Sequence, residues 1–306
     1  MYLVIDIGSN TIRVVVFRLK EGMLIPVLNK KYSAGLAGYI TKSGAMGREG
    51  IERCVDILAE IREIIDAFSF DGIYPFATAS LRNITNSQKV LEEIEARTGL
   101  SVRLLTGKEE AYYDYYGAVQ DLGNDQGILI DIGGGSTEVV VYRNGKPLSA
   151  ESLHIGSLNL FNRYVSGLLP DAKEIKNIQQ EVKGQLGMLD LDGLLDKEER
   201  PLICGVGGTA RAALNLYNAV FHLEKGNRIY ERSFLKQVLT SEWEDSNLTG
   251  LILKTAPERI HTLLPGIAVL YTAAKFFHGT RIITSSHGVR EGYLYEQLEK
   301  AGVLHE

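Results

Sequence analysis

The chain repeats itself. Residues 6–18, Asp6-Ile7-Gly8-Ser9-Asn10-Thr11-Ile12-Arg13-Val14-Val15-Val16-Phe17-Arg18, align without a gap on Asp131-Ile132-Gly133-Gly134-Gly135-Ser136-Thr137-Glu138-Val139-Val140-Val141-Tyr142-Arg143, and seven of the thirteen positions are identical. Each copy follows an apolar run, Leu3-Val4-Ile5 or Ile128-Leu129-Ile130, and leads into a β-branched run. Such an order reads as strand, Gly-rich turn and returning strand, because β-branched side chains suit a pleated surface and glycine punctuates it. The repeat therefore constrains the whole fold to two related lobes, each opening with the same hairpin.

The rest of the pattern fits this plan. Strands are expected near 2–7, 12–19 and 23–31, then a helix from about Gly47 in which Ile51, Cys54, Val55, Leu58, Ile61 and Ile65 recur at helical spacing. A strand at 73–77 and helices near 86–98 and 108–121 complete the first lobe. The second repeats the order: strands near 127–132, 137–142 and 147–154, helices over 157–166 and 171–188, a strand at 201–204 and a helix after Gly207-Gly208-Thr209. A weakly patterned stretch, 222–260, precedes an apolar helix, a strand at 281–284 and a last helix from His287. The boundaries that follow are 1–123 and 124–306, crossing at Gly123-Asn124-Asp125, with the final helix (about 288–306) free to pack back on the first lobe.

Composition excludes several classes. Lys and Arg number 33 against 38 Asp and Glu, a net charge of −5, so no global basic field draws in nucleic acid or an anionic membrane. The longest apolar run, 260–274, contains His261 and Pro265 and falls short of the about 18 residues of a membrane span. The N-terminal residues carry no signal-peptide pattern, which points to the cytoplasm. Cys54 and Cys204 are the only cysteines, each in an apolar setting that suits the core.

An Asp and a Gly-rich turn heading each lobe suit phosphate chemistry. Glycine permits positive φ and leaves backbone N–H groups unobstructed, so successive amides can cradle phosphate oxygens. An Asp at the strand end supplies a carboxylate beside those phosphates for Mg²⁺, which takes one or two carboxylates and keeps its waters.

These residues carry a resemblance. Asp6-Ile7-Gly8-Ser9-Asn10 and Asp131-Ile132-Gly133-Gly134-Gly135-Ser136-Thr137-Glu138 resemble the two phosphate motifs of the actin, sugar kinase and Hsp70 superfamily. Their wording is similar to that of the exopolyphosphatase and guanosine pentaphosphate phosphatase (Ppx/GppA) family. The similarity continues through Ala77–Arg82, Thr106–Ala111, Ser152–Ser157, Gly205–Arg211, Leu264–Gly266 and Ser285–Gly292. It implies an α/β protein of two actin-like (ribonuclease H-like) lobes, each a mixed β-sheet with helices on both faces and a cleft between them, in the short, two-lobed form of the family.

The resemblance also implies roles. Glu110 is the catalytic base that orients water, and Arg82 forks donors onto the terminal phosphate. Ser9, Asn10, Thr11, Gly133, Gly134, Gly135, Ser136, Thr137, Gly207, Gly208 and Thr209 hold phosphate, while Asp6, Asp131 and Glu138 serve Mg²⁺, with Mn²⁺ as a substitute. The activity implied is release of terminal orthophosphate from inorganic polyphosphate, with guanosine pentaphosphate as the alternative substrate. No nucleic-acid or membrane partner is expected, and a homodimer is compatible with the family. A phosphotransferase and a non-catalytic nucleotide sensor are the alternatives of other classes; a pure sensor would not need the base.

Each role has a plainer rival. Glu109 and Glu110 read equally as acids in a helix's first turn, where the dipole favours negative charge. Arg82 reads as a surface arginine, Glu138 as the counterpart of Arg13 at a sheet edge, and Gly205–Thr209 as a tight turn. Residues 33–50, rich in glycine, read as a mobile loop over the cleft. Tyr112, Tyr113, Tyr115 and Tyr116 read as helix packing, with stacking on a guanine base as the alternative. The six histidines lack metal-ligand spacing.

Overall fold

The computed structural model describes residues 1–194, 200–224, 226–240 and 245–304. Two compact units divide the chain, one of Met1–Glu110 with Tyr293–Glu306 and one of Ala111–Gly292.

The first unit is built on β1 (Tyr2–Ile7), β2 (Thr11–Lys20), β3 (Met23–Ser33), α1 (Arg48–Ala67), β4 (Gly72–Ala77), α2 (Ala79–Arg82), α3 (Ser87–Thr98), β5 (Arg103–Leu104) and the start of α4 (Gly107–Leu122). Its sheet runs β3-β2-β1-β4-β5, antiparallel among the first three strands and parallel thereafter. Strand alternation sets the core. Leu3, Ile5 and Ile7 meet Ile51, Cys54 and Leu58 of α1 and Ile94 of α3 on one face. On the other, Phe76 packs edge-on against Tyr293, ring centroids 5.0 Å apart.

The second unit holds the rest of α4, then β6 (Gly127–Ile132), β7 (Thr137–Arg143), β8 (Lys146–Leu153), α5 (Ser157–Tyr164), α6 (Ala172–Leu186), β9 (Ile203–Val206), α7 (Gly207–Val220), β10 (Ile229–Glu231), α8 (Arg232–Leu239), α9 (Asp245–Thr255), α10 (Leu263–Phe276), β11 (Arg281–Thr284) and the start of α11 (Val289–Lys300). Its sheet runs β8-β7-β6-β9-β11-β10, the order and strand senses of the first with antiparallel β10 added at the edge. Ile128, Ile130 and Ile132 face the apolar α10 and α6, while Leu129, Cys204 and Val206 face Ala111, Tyr115 and Ala118 of α4. Pro265 is the third residue of α10, inside the first turn, where its missing N–H leaves no helical bond unmade. Both cysteines are free and buried.

Three expectations need correction. The stretch 222–260 is structured: within it β10, α8 and α9 form, and Tyr230, Phe234, Leu235 and Ile252 enter the core. Its charged residues hid a period that is amphipathic over pieces of only eight to eleven residues; residues 225 and 241–244 lie outside the described residues. Residues 33–50 are tied down. Ala34 and Gly35 donate to the Asn10 carbonyl and Ala37 to that of Ser9, Leu36 and Met46 are buried, and the Asn86 amide brackets the Met46 backbone at 2.8 and 3.0 Å. The hairpin glycines, finally, are not needed for positive φ, which none of Gly8, Gly133, Gly134 or Gly135 adopts. They are needed for close approach: a Cβ on Gly8 would lie 3.1 Å from the Thr11 carbonyl oxygen, and one on Gly133 would lie 3.3 Å from that of Ser136.

Candidate active site

The two hairpins share one geometry. In each, the Asp stands across the ladder from the repeat's polar strand residue, Asp6 from Arg13 and Asp131 from Glu138, and the turn closes through a bond from its first glycine, Gly8 to Thr11 and Gly133 to Ser136, both at 3.0 Å. In each, a later segment takes the turn's carbonyls. Ala34, Gly35 and Ala37 do so in the first; in the second, Ser157 donates to Gly133, Leu158 and Asn159 to Gly134, and the Asn159 side chain to Gly135. The amides of Ser9, Asn10, Gly134 and Gly135 donate to no backbone acceptor among the described residues, so each turn presents donors while its acceptors are occupied. That polarity suits an anion.

In the first unit the end of β1 is bound to the start of α2, where the Ser80 hydroxyl donates to the Ile7 carbonyl at 2.6 Å. Arg82 closes that short helix and turns to α4: its Nη1 donates to Glu110 Oε2 at 2.8 Å and to the Leu105 carbonyl at 3.0 Å. The pair is largely withdrawn from water, the side chains 16% and 11% exposed, so this is not a surface ion pair of little worth. Arg82 Nη2 is buried with no hydrogen-bond partner among the described residues. The adjacent glutamates divide the work. Thr106 caps α4, its backbone N–H and hydroxyl donating to Glu109 Oε2 at 2.8 and 2.9 Å while Glu109 N donates back to the Thr106 hydroxyl at 3.2 Å. This capping box commits Glu109 to the helix start. Burial pushes the Glu109 carboxyl up, but the bonds from Thr106 and Arg103 outweigh it and hold the group below its ordinary value.

In the second unit Asp131, next to last in β6, lies under the β9–α7 turn. Gly207 there has φ +77°, and a Cβ on it would lie 2.0 Å from Asp131 Oδ1, so glycine is obligatory for both conformation and space. The turn thus has a steric reason to be glycine whether or not it meets a ligand. The buried Asp114 and the arginines Arg211, Arg290 and Arg259 lie close enough to Asp131 to act on its carboxyl. Burial pushes its carboxyl up against the pull of those neighbours. Arg259 is shifted down by burial, Glu258 and Asp131 opposing. Its guanidinium presses on the turn, so that a Cβ on Gly208 would lie 1.7 Å from Nη2. Glu138, 1% exposed, accepts from the Ser152 hydroxyl at 2.7 Å; Thr137 donates to the Ile155 carbonyl at 2.7 Å, Thr209 to that of Ile132 at 3.2 Å, and Ser136 is buried.

Asp114, Arg211, Arg259 and Arg290 are thus polar neighbours of Asp131 that residue-by-residue reading did not single out. Arg211 and Arg290 lie within segments noted for their wording, whereas nothing local distinguishes Asp114 in a run of tyrosines. The tyrosines themselves divide. Tyr113 and Tyr115 are buried, and Tyr112 and Tyr116 stack on each other at 6.0 Å. At 100° per residue that stacked pair lies on the opposite side of α4 from Glu110.

Among the described residues no three His, Cys, Asp or Glu side chains gather as a metal cage. Asp6 and Asp131 are carboxylates near strand ends beside donor-rich turns, Asp131 with the Asp114 carboxyl as a neighbour. Such a donor set fits Mg²⁺, or Mn²⁺, arriving with its phosphates and waters. Buried Glu138, in register with Asp131, fits an orienting place behind it. No helix among the described residues is long and apolar enough to cross a membrane.

The profile of the Ppx/GppA phosphatase family matches residues 15–301. A putative exopolyphosphatase of Haemophilus influenzae is 26% identical across 97% of this chain and 90% of its own. A guanosine-5'-triphosphate,3'-diphosphate pyrophosphatase of Aeromonas hydrophila is 27% identical across 96% of this chain, which spans only 59% of that relative. Among solved structures, an exopolyphosphatase from Cytophaga hutchinsonii superposes with a TM-score of 0.83 at 23% identity, covering 98% of each chain. The Aquifex aeolicus member of the Ppx/GppA family gives 0.80 at 24% identity, covering 100% of this chain and 99% of its own. With its paired hairpins, its two actin-like lobes and a profile match over nearly its whole length, the chain belongs to the Ppx/GppA phosphatase family of phosphoanhydride hydrolases.

Proposed function

We propose that the protein releases terminal orthophosphate from inorganic polyphosphate with the help of Mg²⁺. The observation that carries this reading is the Arg82–Glu110 pair, with Glu109 diverted to capping. Glu110 is a carboxylate held in one rotamer by Arg82, suited to accept a proton from a water whose oxygen bonds the terminal phosphorus. The bridging P–O bond breaks, and the shortened chain leaves with the electron pair. Charge on the phosphoryl oxygens would repel the nucleophile, and Arg82 Nη2 is a donor available to offset it. Within each unit the turn amides, at Ser9–Asn10 in the first and at Gly134–Gly135 in the second, are donors suited to phosphate oxygens. In the second unit Asp131, oriented by Glu138, would hold Mg²⁺, which when bound neutralises phosphate charge; Asp6 is the corresponding carboxylate of the first unit.

Guanosine pentaphosphate is the second substrate supported, by the name of the Aeromonas relative and by the same terminal phosphoanhydride chemistry. Orthophosphate release from long polyphosphate, tripolyphosphate, guanosine pentaphosphate and ATP, each with and without Mg²⁺, tests the reading. Mg²⁺-dependent release from the first two is expected; release from ATP alone, or none that depends on Mg²⁺, would overturn it.

A further inference from the structure

The chain between β3 and α1 is bonded at one end to the first hairpin and at the other to a single side chain. At the near end the Ala34 and Gly35 amides donate to the Asn10 carbonyl at 3.1 and 2.9 Å, and the Ala37 amide to that of Ser9 at 2.9 Å. Those carbonyls belong to the turn whose own amides are left for an anion. At the far end the Asn86 side chain meets the Met46 backbone twice, Oδ1 accepting from the amide at 2.8 Å and Nδ2 donating to the carbonyl at 3.0 Å. Between the ends Leu36 and Met46 are buried, Met46 forms a β-bridge with Ile40, and the Thr85 amide donates to the Gly44 carbonyl at 3.0 Å. Residues 34–46 thus strap the Ser9–Asn10 turn to the stretch of chain that follows Arg82. Asn86 also stands at the N-cap of α3, where an Asn side chain ordinarily accepts from the first helical amides, yet it makes no such bond. Its amide is engaged by Met46 instead. Among short side chains at neutral pH only Asn offers a donor and an acceptor on separate atoms.

We propose that Asn86 is a positioning residue for substrate binding, which through the strap holds the Ser9–Asn10 turn so that its amides meet phosphate oxygens. The inference rests on the reading of that turn given above. Loosening the strap leaves Arg82 and Glu110 paired, so it should raise KM and spare kcat, the mark of lost uniform binding. A hydrogen bond to a charged group is worth about 10-fold or more in affinity. Asn86→Ala should therefore raise KM for tripolyphosphate at saturating Mg²⁺ by at least about 10-fold, with kcat within about threefold of the parent.

The test joins steady-state kinetics to backbone hydrogen exchange and thermal melts, on the parent protein, Asn86→Ala and Thr98→Val. The last variant removes a buried bond at the other end of α3, from the Thr98 hydroxyl to the Ile94 carbonyl at 2.7 Å, and controls for lost stability. In Asn86→Ala the amides of residues 34, 35 and 37 should exchange faster by about 10-fold or more, because local opening becomes easier. Thr98→Val should melt lower while KM and exchange at 34–37 stay parental. Unchanged exchange at 34–37 in Asn86→Ala, a fall in kcat without a rise in KM, or the same rise in KM in Thr98→Val would each overturn the proposal. Should Asn86→Ala not fold, Asn86→Asp decides by the same readings, since it keeps the shape and the acceptor but lacks the donor to Met46. Faster exchange at 34–37 with a parental KM overturns the proposal by a different route, because the strap then holds a turn that does not bind the substrate and the reading of Ser9–Asn10 has failed beneath it.

Discussion

Glu109 and Glu110 are chemically identical neighbours whose surroundings give them separate work, and the separation is measurable. Replacing Glu109 with Ala removes half of a capping box, which should cost about 1 kcal/mol, or about 2–4 °C in melting temperature, while turnover stays near the parental value. A large loss of turnover without loss of stability would mean that the two glutamates have exchanged roles. Asp121 offers a second reading at this scale. Burial raises its carboxyl, but the Arg228 guanidinium, the Ser286 amide and the Ser285 hydroxyl outweigh that and hold it at about 2. A folded-state value below the unfolded one means that the stabilisation is present at neutral pH and is lost as pH falls through about 4 toward 2. The melting-temperature gap between the parent and Asp121→Asn should therefore be open at pH 7 and close over that window. A gap unchanged at pH 2.5 would contradict the assignment. Glu110 and Arg82 stood out because each sits in a motif, but neither motif announced that the two would pair; the division between Glu109 and Glu110 was only half legible, since T-x-x-E is a capping signature that the neighbouring acid obscures. Asp114 and Arg259 were not legible, because what distinguishes them is proximity to Asp131 across 17 or more residues of chain.

Elements carry these residues to their places through close backbone contact as well as apolar packing. Gly117 of α4 meets the opening of α11 so closely that a Cβ would lie 2.4 Å from the Gly288 carbonyl oxygen, and a Cβ on Gly292 would lie 1.9 Å from that of Tyr113. Backbone atoms cannot swing aside, so Gly117→Ala should destabilise by about 1–3 kcal/mol through overpacking. Gly184, inside α6 with nothing within 4 Å of a Cβ, is the internal control. Alanine there should stabilise by about 0.4–1 kcal/mol, because it restricts the unfolded chain and fits the helix. Thermal melts of the two variants should move in opposite directions; parallel shifts would show that the α4–α11 contact is looser than it is drawn here. Sequence periodicity found the long elements because their apolar stripes are long. It missed α2 and β5, of four and two residues, which form only because Ser80 and Leu105 are bonded to neighbouring strands. It also misplaced the reason for the hairpin glycines, since composition reports that glycine is required and not whether φ or space requires it.

At the scale of the molecule, a thirteen-residue repeat was enough to expect two sheets of one plan, and the strand orders agree. The repeat works as a predictor because a strand–turn–strand unit fixes which strand is central and which is edge. Passage from one compact unit to the other occurs inside α4 and inside α11, where continuous helix leaves no loop composition to read. Net charge bears on substrate handling. The molecule carries −5, and Lys30 is already engaged by Glu60 at 2.7 Å and by the Tyr32 ring. Holding a long polyanion through many turnovers needs several such contacts at once. Cleavage is therefore expected to be distributive, with a preference for short chains, and a gel of a half-digested long polyphosphate should display intermediates of every length. Full-length substrate beside fully degraded product would contradict this.

The central claim is that Glu110 activates the water that cleaves a terminal phosphoanhydride. Its most direct test is steady-state orthophosphate release from tripolyphosphate at saturating Mg²⁺ by Glu110→Gln, a variant that keeps shape and hydrogen bonding but cannot take the proton. The account predicts kcat lower by about 10²–10⁴ with KM within a few-fold of the parent, the signature of a group acting in the transition state. Parental kcat in Glu110→Gln would contradict it.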